Sequence, residues 1–443
     1  MTPQHALPIA LLVLVRTSAS AAQTPVDSAL ATYISSIRAI DNHAHPMRPV
    51  LPGAPADTEF DALPLDGIPP FGSPWRNRLE NPEWRATQRT LFGLAAGATG
   101  DAFAPALHEA RARQLRSLGN GYPAWVLDQS GIDVMLANRI VLGPGLAPPR
   151  FLWAPFGDAL LLPLDTRVEA ARSPDTRSLY PRENALLRRY LRELGMPSLP
   201  RTLDGYLAAV VRPTLERQRR GGAVALKFEA AYLRPLDFAA PDTAAARAIY
   251  ARYIGGGAPT RAEYKMLQDY LFHEVAREAG RLGMAVHIHA TDGAGSFYLA
   301  RGSAPHMLEP TFNDSTLRET NFVIIHGGWP LFAQTQSMIA KPNVYADISA
   351  MVLIVPAHEL ASVLRSWLAA WPEKVLFGTD AFDGGPDQGW EEGAWLGAST
   401  ARRALAMALT GMLRDGEIDR ARAETLARMV LRDNAAKLYH LER

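Results

Sequence analysis

No cysteine occurs among the 443 residues. Thiolate nucleophiles, cysteine-held zinc and disulfides are thereby excluded, so a metal would have to be bound by histidine, carboxylate or a lysine-derived group. Charge of neither sign is in excess. The 46 Lys and Arg face 45 Asp and Glu, with no basic stripe that would suit a nucleic-acid backbone. There is no G-x-S-x-G nucleophile elbow and no Walker loop. "GNGYPA" (Gly119 to Ala124) has half the look of a dinucleotide loop but follows no strand pattern. No stretch is long and apolar enough for a membrane helix. "ALPIALLVLV" (Ala6 to Val15), followed by "TSASAAQ", instead reads as an export signal cleaved near Ala21 or Ala22, although Arg16 follows the apolar run and no basic residue precedes it. A periplasmic or secreted protein is expected, spanning residues 23–443 after removal of 1–22 and not inserted in a membrane.

What is present is core-forming material: 48% of residues are hydrophobic and 21% charged, a globular composition. Eight apolar runs of strand length follow one another: "IRAIDNHAH", "GIDVMLANRIV", "RFLWAPFGDALL", "AVALKFE", "MAVHIHA", "NFVIIHGG", "NVYADIS" and "KVLFGTD". Helical patterns separate most of them, among them "LDGYLAAVVRPTLERQRRGG" and "RAEYKMLQDYLFHEVAREAGRLG", and material after "MAVHIHA" also reads as helical. Alternation of this kind predicts a parallel sheet, and eight units predict an α/β (β/α)8 TIM-like barrel, with a doubly wound open sheet as the alternative. The long segment 47–129, Pro- and Gly-rich at first and then largely helical, is expected to be an insertion or cap after the first strand.

In a barrel of this type, functional residues sit at the C-terminal strand ends. Here the first strand pattern ends with His43 and His45, the fourth at Lys227, the fifth with His287 and His289, the sixth at His326 and the eighth at Asp380. Residues i and i+2 of a strand share a face, so each histidine doublet can aim at one point. A single histidine at a strand end is more often a hydrogen-bonded structural residue than a ligand. Five of the 11 histidines at the ends of three strands are a different matter. Burying those imidazoles with a lysine and an aspartate is costly without a counter-ion. A divalent metal, one ion or a pair, removes that cost, with zinc the default for His and Asp donors. Asp41, two residues before His43, is a candidate to orient a ligand. His273 in "FHEVAR" lacks a second helix histidine and reads as an ordinary helix residue.

The pieces "DNHAHP", "ALKFEAAY", "VHIHATDG", "FVIIHGG", "NVYADIS", "VLFGTDA" and "DNAAKLYHL", in that order, resemble the amidohydrolase superfamily and its amidohydrolase-related branch (Amidohydro_2). The resemblance implies that His43 and His45 bind a first metal, with Asp380 completing that site and acting as the proton-transfer base. It implies that His289 and His326 bind a second ion, if there is one. Lys227 stands where binuclear members carry a carboxylated lysine, since a bare ammonium would repel metal unless it served the substrate. The doublet on the fifth strand departs from the usual single ligand, so His287 reads as a deeper supporting group or an alternative ligand. The expected reaction is metal-assisted hydrolysis of an amide, lactone or ester in a small-molecule substrate. The alternative is a metal-dependent, non-oxidative decarboxylase, and a third reading is a binding protein without turnover. Tyr232, Arg234, Trp153, Trp329, Phe382 and Asp383 could line the mouth. The sequence says nothing of oligomeric state.

Overall fold

Each of the eight apolar runs forms a strand in the computed structural model: β1 (Ala39–Ala44), β2 (Ile132–Asn138), β3 (Phe151–Ala154), β4 (Ala225–Phe228), β5 (Ala285–His289), β6 (Phe322–Ile325), β7 (Val344–Asp347) and β8 (Val375–Leu376). The structure describes residues 26–51, 53–65, 74–95, 97, 99–291 and 293–441, so residues 1–22, expected to be an export signal, lie outside the described residues. β1, β2 and β3 pair in parallel and in order, as do β4 to β8. Two seams join these sheets. Val224 N–H to Trp153 O (2.9 Å) and Lys227 N–H to Pro155 O (2.8 Å) tie β3 to β4. Asn42 N–H to Phe377 O (2.9 Å) and Asp380 N–H to His43 O (2.8 Å) tie the end of β8 to β1.

The architecture fits a (β/α)8 barrel. Strand order follows the chain without the reversal that defines a doubly wound sheet. One apolar cluster draws Ile40, Leu136, Ala154, Ala225, Ala285, Val323 and Leu376 from seven strands, with Tyr345 of β7 beside them. Ala435, Leu438 and Tyr439 from the C-terminal helix Asn434–Leu438 and the residue after it join the same cluster.

Helices form where pattern and caps agree. The helix Arg261–Arg281 opens with a capping box: Thr260 Oγ1 accepts from Glu263 N–H, and Glu263 Oε2 accepts from Thr260 N–H at 2.9 Å. Its Phe272 stacks on Phe238 with ring centres 3.7 Å apart and meets Phe228 of β4 at 5.1 Å. Truncating such a buried ring to Ala costs ~3–5 kcal/mol. The run 203–220 is helical except for a wider turn at Leu207–Val211, where Pro213 has no N–H to give the carbonyl four residues back. Two connections lack a long helix, the second of them against expectation. Between β2 and β3 there is no helix, because "VLGPGLAPPR" is punctuated by Gly and Pro. After β5, Gly293, Gly295, Gly302 and Pro305 leave only short 3-10 turns and the helix Glu309–Asn313. The segment between β1 and β2 carries the helices Pro82–Phe92, Phe103–Leu118 and Tyr122–Gln129.

Candidate metal centre

β1 does not run regularly to its end. Its register against β2 shifts between Asp41 and Ala44, and an irregularity of this sort re-aims side chains. His43 Nε2 thereby lies 3.2 Å from Asp380 Oδ1, and His45 Nε2 lies 3.7 Å from the same oxygen. From the neighbouring strands, His289 Nδ1 and His326 Nε2 stand 3.1 Å apart. The rings of His43 and His326 are 5.0 Å apart, and His326 Nδ1 is 3.8 Å from Asp380 Oδ2. Donor atoms of His43, His326 and Asp380 all fall within 4.8 Å of one another. The ends of β1, β5, β6 and β8 thus meet at one point. Two of these residues sit in the left-handed backbone region that side chains seldom adopt: His326 at φ 67° and Asp380 at φ 56°. Such conformations cost of order 1–3 kcal/mol each and gather at functional sites.

Electrostatics favour a cation here. Burial holds His43 and His326 well below the usual histidine range, so both rings are neutral and carry a lone pair. Burial pushes Asp380 up to about 6, against the opposing pull of His45 and Lys227. Several imidazoles and one carboxylate, without thiolate, make a donor set suited to zinc and also to manganese or iron.

Lys227 is buried beside this cluster, with Nζ 3.3 Å from His43 Nε2 and 3.6 Å from Glu229 Oε1. Carboxyl groups surround it. Burial raises Asp158 to about 7 and Glu183 and Glu229 well above the usual range. Asp61 Oδ2 lies 3.3 Å from His45 Nδ1, on the side of that ring away from Asp380. A carboxylate so placed can fix the orientation of a metal-binding histidine.

A buried polar chain runs behind the histidines. Asp347 accepts from His326 N–H (2.8 Å), Asn42 Nδ2 (2.8 Å) and Ser349 Oγ (2.7 Å). Ser349 Oγ is also 2.9 Å from His326 Nδ1. Its one proton goes to Asp347, so it accepts from Nδ1–H and leaves the His326 Nε2 lone pair facing His289. Tyr439 donates to Asn42 Oδ1, and its hydroxyl lies 2.7 Å from His287 Nε2. His287 is therefore tied to the C-terminal Tyr439 one layer below His289, and burial pushes it down to about 3. His43 Nδ1 meets the Asn138 amide at 2.6 Å. Asp41 takes a different part from the one expected. It accepts from the backbone N–H of His43 (3.2 Å) and from Thr379 N–H and Oγ1, so it fixes the ends of β1 and β8 and touches no ligand ring.

A cavity of about 750 Å³ opens onto this centre, lined by His45, Lys227, Tyr232, His289, His326 and Asp380, with Phe382 and Asp383 at its side. Tyr232 Oη is 3.4 Å from His289 Nδ1. Three expected lining residues are elsewhere. Arg234 turns away to Asp269 (2.7 Å) and lies over the Phe238 ring, because a buried guanidinium needs a carboxylate partner. Trp153 is in the core with Nε1 on the Arg139 carbonyl (2.9 Å). Trp329 packs against the same core and does not reach this cavity. His273, on the helix Arg261–Arg281, meets Asp314 Oδ2 through Nδ1 at 2.8 Å and does not line this cavity. Asn138, Ser349 and Asp347 carried a signal, since all three lie at or just beyond strand ends. Asp61 did not, because it sits in an irregular Pro/Gly-rich loop.

Comparison with known proteins adds the following. The family model described as Amidohydrolase (Amidohydro_2) matches residues 195–441. Among solved structures, a protein of Lactobacillus casei assigned as a metal-dependent hydrolase is 18% identical with TM-score 0.62, covering 95% of this chain and 99% of its own. The glucuronate isomerase of Caulobacter crescentus is 14% identical with TM-score 0.60, covering 94% of each chain. The uronate isomerase of Thermotoga maritima is 14% identical with TM-score 0.57, covering 94% of this chain and 98% of its own. These likenesses concern the fold. No curated protein matches the sequence.

Proposed function

The chain belongs to the amidohydrolase family, and on that premise we propose that it is a metal-dependent hydrolase of an amide, lactone or ester bond. The observation that carries this reading is Asp380: its carboxylate stands 3.2 Å from His43 Nε2 and 3.7 Å from His45 Nε2, at the mouth of a cavity. His43, His45, His289, His326 and Asp380 would hold the metal. The chemistry supplied by a divalent ion held there would be a lowered pKa for a bound water and polarisation of a scissile carbonyl. The protein's own part is proton handling and placement. Asp380 takes the proton of the attacking water at a carboxylate oxygen and returns it to the leaving group. Burial keeps the His43 and His326 imidazoles neutral and ready to donate lone pairs. Tyr232, 3.4 Å from His289 Nδ1 and lining the cavity, would hydrogen-bond the substrate.

Zinc is the expected ion. A carbamate on Lys227 would add a bridging ligand and make the centre binuclear, which metal counting and a carbamate carbon signal would register. Uronate isomerases share the fold, but the hydrolytic reading rests on Asp380 as base rather than on that likeness. The proposal also takes Met1 to Ala22 as an export signal, to be checked by N-terminal sequencing of the mature protein. The decisive experiment is a screen of acyl amides, dipeptides, lactones and esters with metal-reconstituted protein. Turnover abolished by a chelator and restored by metal is expected. CO2 release from an aromatic carboxylic acid, with no hydrolysis, would replace this reading with the decarboxylase.

A further inference from the structure

The cavity has two unlike sides. One is the histidine cluster with Lys227 and Tyr232. The other is built by the segments after β1 and β8, where Met47, Val50, Phe60, Leu65 and Phe382 present apolar surface. The charged groups on that second side are acidic: Asp57, paired with Arg139, Asp61 and, at the exposed rim, Asp383. Among the described residues lining the cavity, Lys227 is the sole Lys or Arg, and it lies against His43 at the reacting end.

Arginines of this region are committed elsewhere, among them Arg111, which acts on Asp383 but is tied to Glu392 and to Pro386 O at 2.7 Å. Arg139 makes a two-pronged ion pair with Asp57, 2.9 Å at each prong, and a 2.7 Å bond to Pro46 O. Arg48 donates to the carbonyls of Pro55 and Ala56. A carboxylate or phosphate on the far part of a substrate would therefore lose its water and gain no cation, which is costly. A polyhydroxylated chain would meet a wall with few hydrogen-bonding groups. A hydrocarbon or aryl group gains from the same contact, and a cavity of about 750 Å³ has room for one.

We infer that this enzyme takes substrates whose portion away from the cleaved bond is apolar and either neutral or cationic, and that it discriminates against anionic ones. The inference rests on the hydrolytic reading for which bond is cut, and on the cavity wall alone for the charge preference. A sugar acid, with its carboxylate at the end opposite its carbonyl, is the kind of molecule it excludes.

The test uses the metal-reconstituted full chain and three matched 3-phenylpropanohydroxamic acids, with hydrogen, aminomethyl or carboxylate at the para position. The hydroxamate engages the metal in each, so the difference in Kd reports the far wall. The neutral and cationic members are expected to bind at least tenfold tighter than the carboxylate. Leu65→Arg, which puts a cation into the apolar wall, is expected to erase or reverse that gap, and a folded L65R protein that keeps it would overturn the assignment of the wall. A carboxylate that binds wild type as tightly as the neutral compound, or no binding by any of the three, overturns the inference. Turnover of the corresponding methyl esters is measured alongside. Ordered binding without turnover leaves the charge preference standing and removes the hydrolase reading, whereas turnover that favours the carboxylate does the reverse.

Discussion

Replacing Ser349 with Ala should loosen metal binding although Ser349 is not itself a ligand. Its hydroxyl gives its proton to Asp347 Oδ1 at 2.7 Å and receives Nδ1–H of His326 at 2.9 Å. That pair of bonds sets the tautomer in which Nε2 of His326 keeps its lone pair. Without the hydroxyl, the buried Nδ1–H has no acceptor, a cost of ~1–3 kcal/mol. The ring can escape that cost by moving its proton to Nε2, which then cannot bind metal. Loss of such a supporting partner typically weakens metal affinity about 10- to 100-fold, equivalent to ~1.4–2.8 kcal/mol. Competition against a fluorescent chelator would measure the affinity, and thermal unfolding of the metal-free protein would measure the structural part. Ser349→Thr keeps a hydroxyl and should restore most of the loss. If S349A binds metal within twofold of wild type, the tautomer argument fails.

Other consequences can be checked separately. Arg139→Met leaves the Asp57 carboxylate, buried and nearly solvent-free, without its two-pronged partner and with only Arg48 Nε at 3.6 Å as counter-charge. A loss of ~3–5 kcal/mol in denaturant unfolding is expected, and a change below ~1 kcal/mol would show the pair to be dispensable. In the metal-free protein, burial holds His43 and His326 well below the ordinary histidine value of 6.5 and His287 at about 3. At these three rings the unfolded chain therefore binds more protons than the folded one below about pH 6.5, so their contribution to stability is fully present above that pH and falls as the pH drops, opposite in sign to that of the buried carboxyls held up by burial. The His287 share, on the order of 4–5 kcal/mol, is lost progressively down to about pH 3. His287→Gln should flatten that slope in equilibrium unfolding followed from pH 7 to 4, and an unchanged slope would count against a buried neutral His287. Tyr439→Phe removes the hydroxyl shared by Asn42 and His287. It should lower stability by ~1–3 kcal/mol while leaving metal stoichiometry unchanged, as atomic absorption would show.

Much of the architecture was legible in the chain because the strands are short, apolar and separated by punctuated connections. Their ends were legible too, since His43, His45, His289, His326 and Asp380 each stop an apolar run. What the pattern could not carry was side-chain direction beyond the i, i+2 rule. The irregular end of β1 altered what Asp41 faces, and no periodicity announces such a shift. Arg234 and Trp329 sit just past strand ends yet point elsewhere, Arg234 because Asp269 on the helix Arg261–Arg281 claims it. Asp61 reaches His45 from a loop held in part by the buried Arg139–Asp57 pair, a contact between residues 82 apart that no local pattern announces. Helices after β5 were overcalled where glycines and a proline break the pattern.

The claim at the centre of this account is that Asp380 moves the proton in a metal-dependent hydrolysis. Asp380→Asn keeps the side chain's shape and one oxygen donor while removing the base. On a substrate found by the screen, single-turnover hydrolysis by metal-loaded D380N, with metal content measured on the same sample, tests this directly. The account predicts a loss of ~10²–10⁴-fold in rate, the range for a general acid–base group, with metal largely retained. A D380N protein that holds its metal and hydrolyses at the wild-type rate would contradict it.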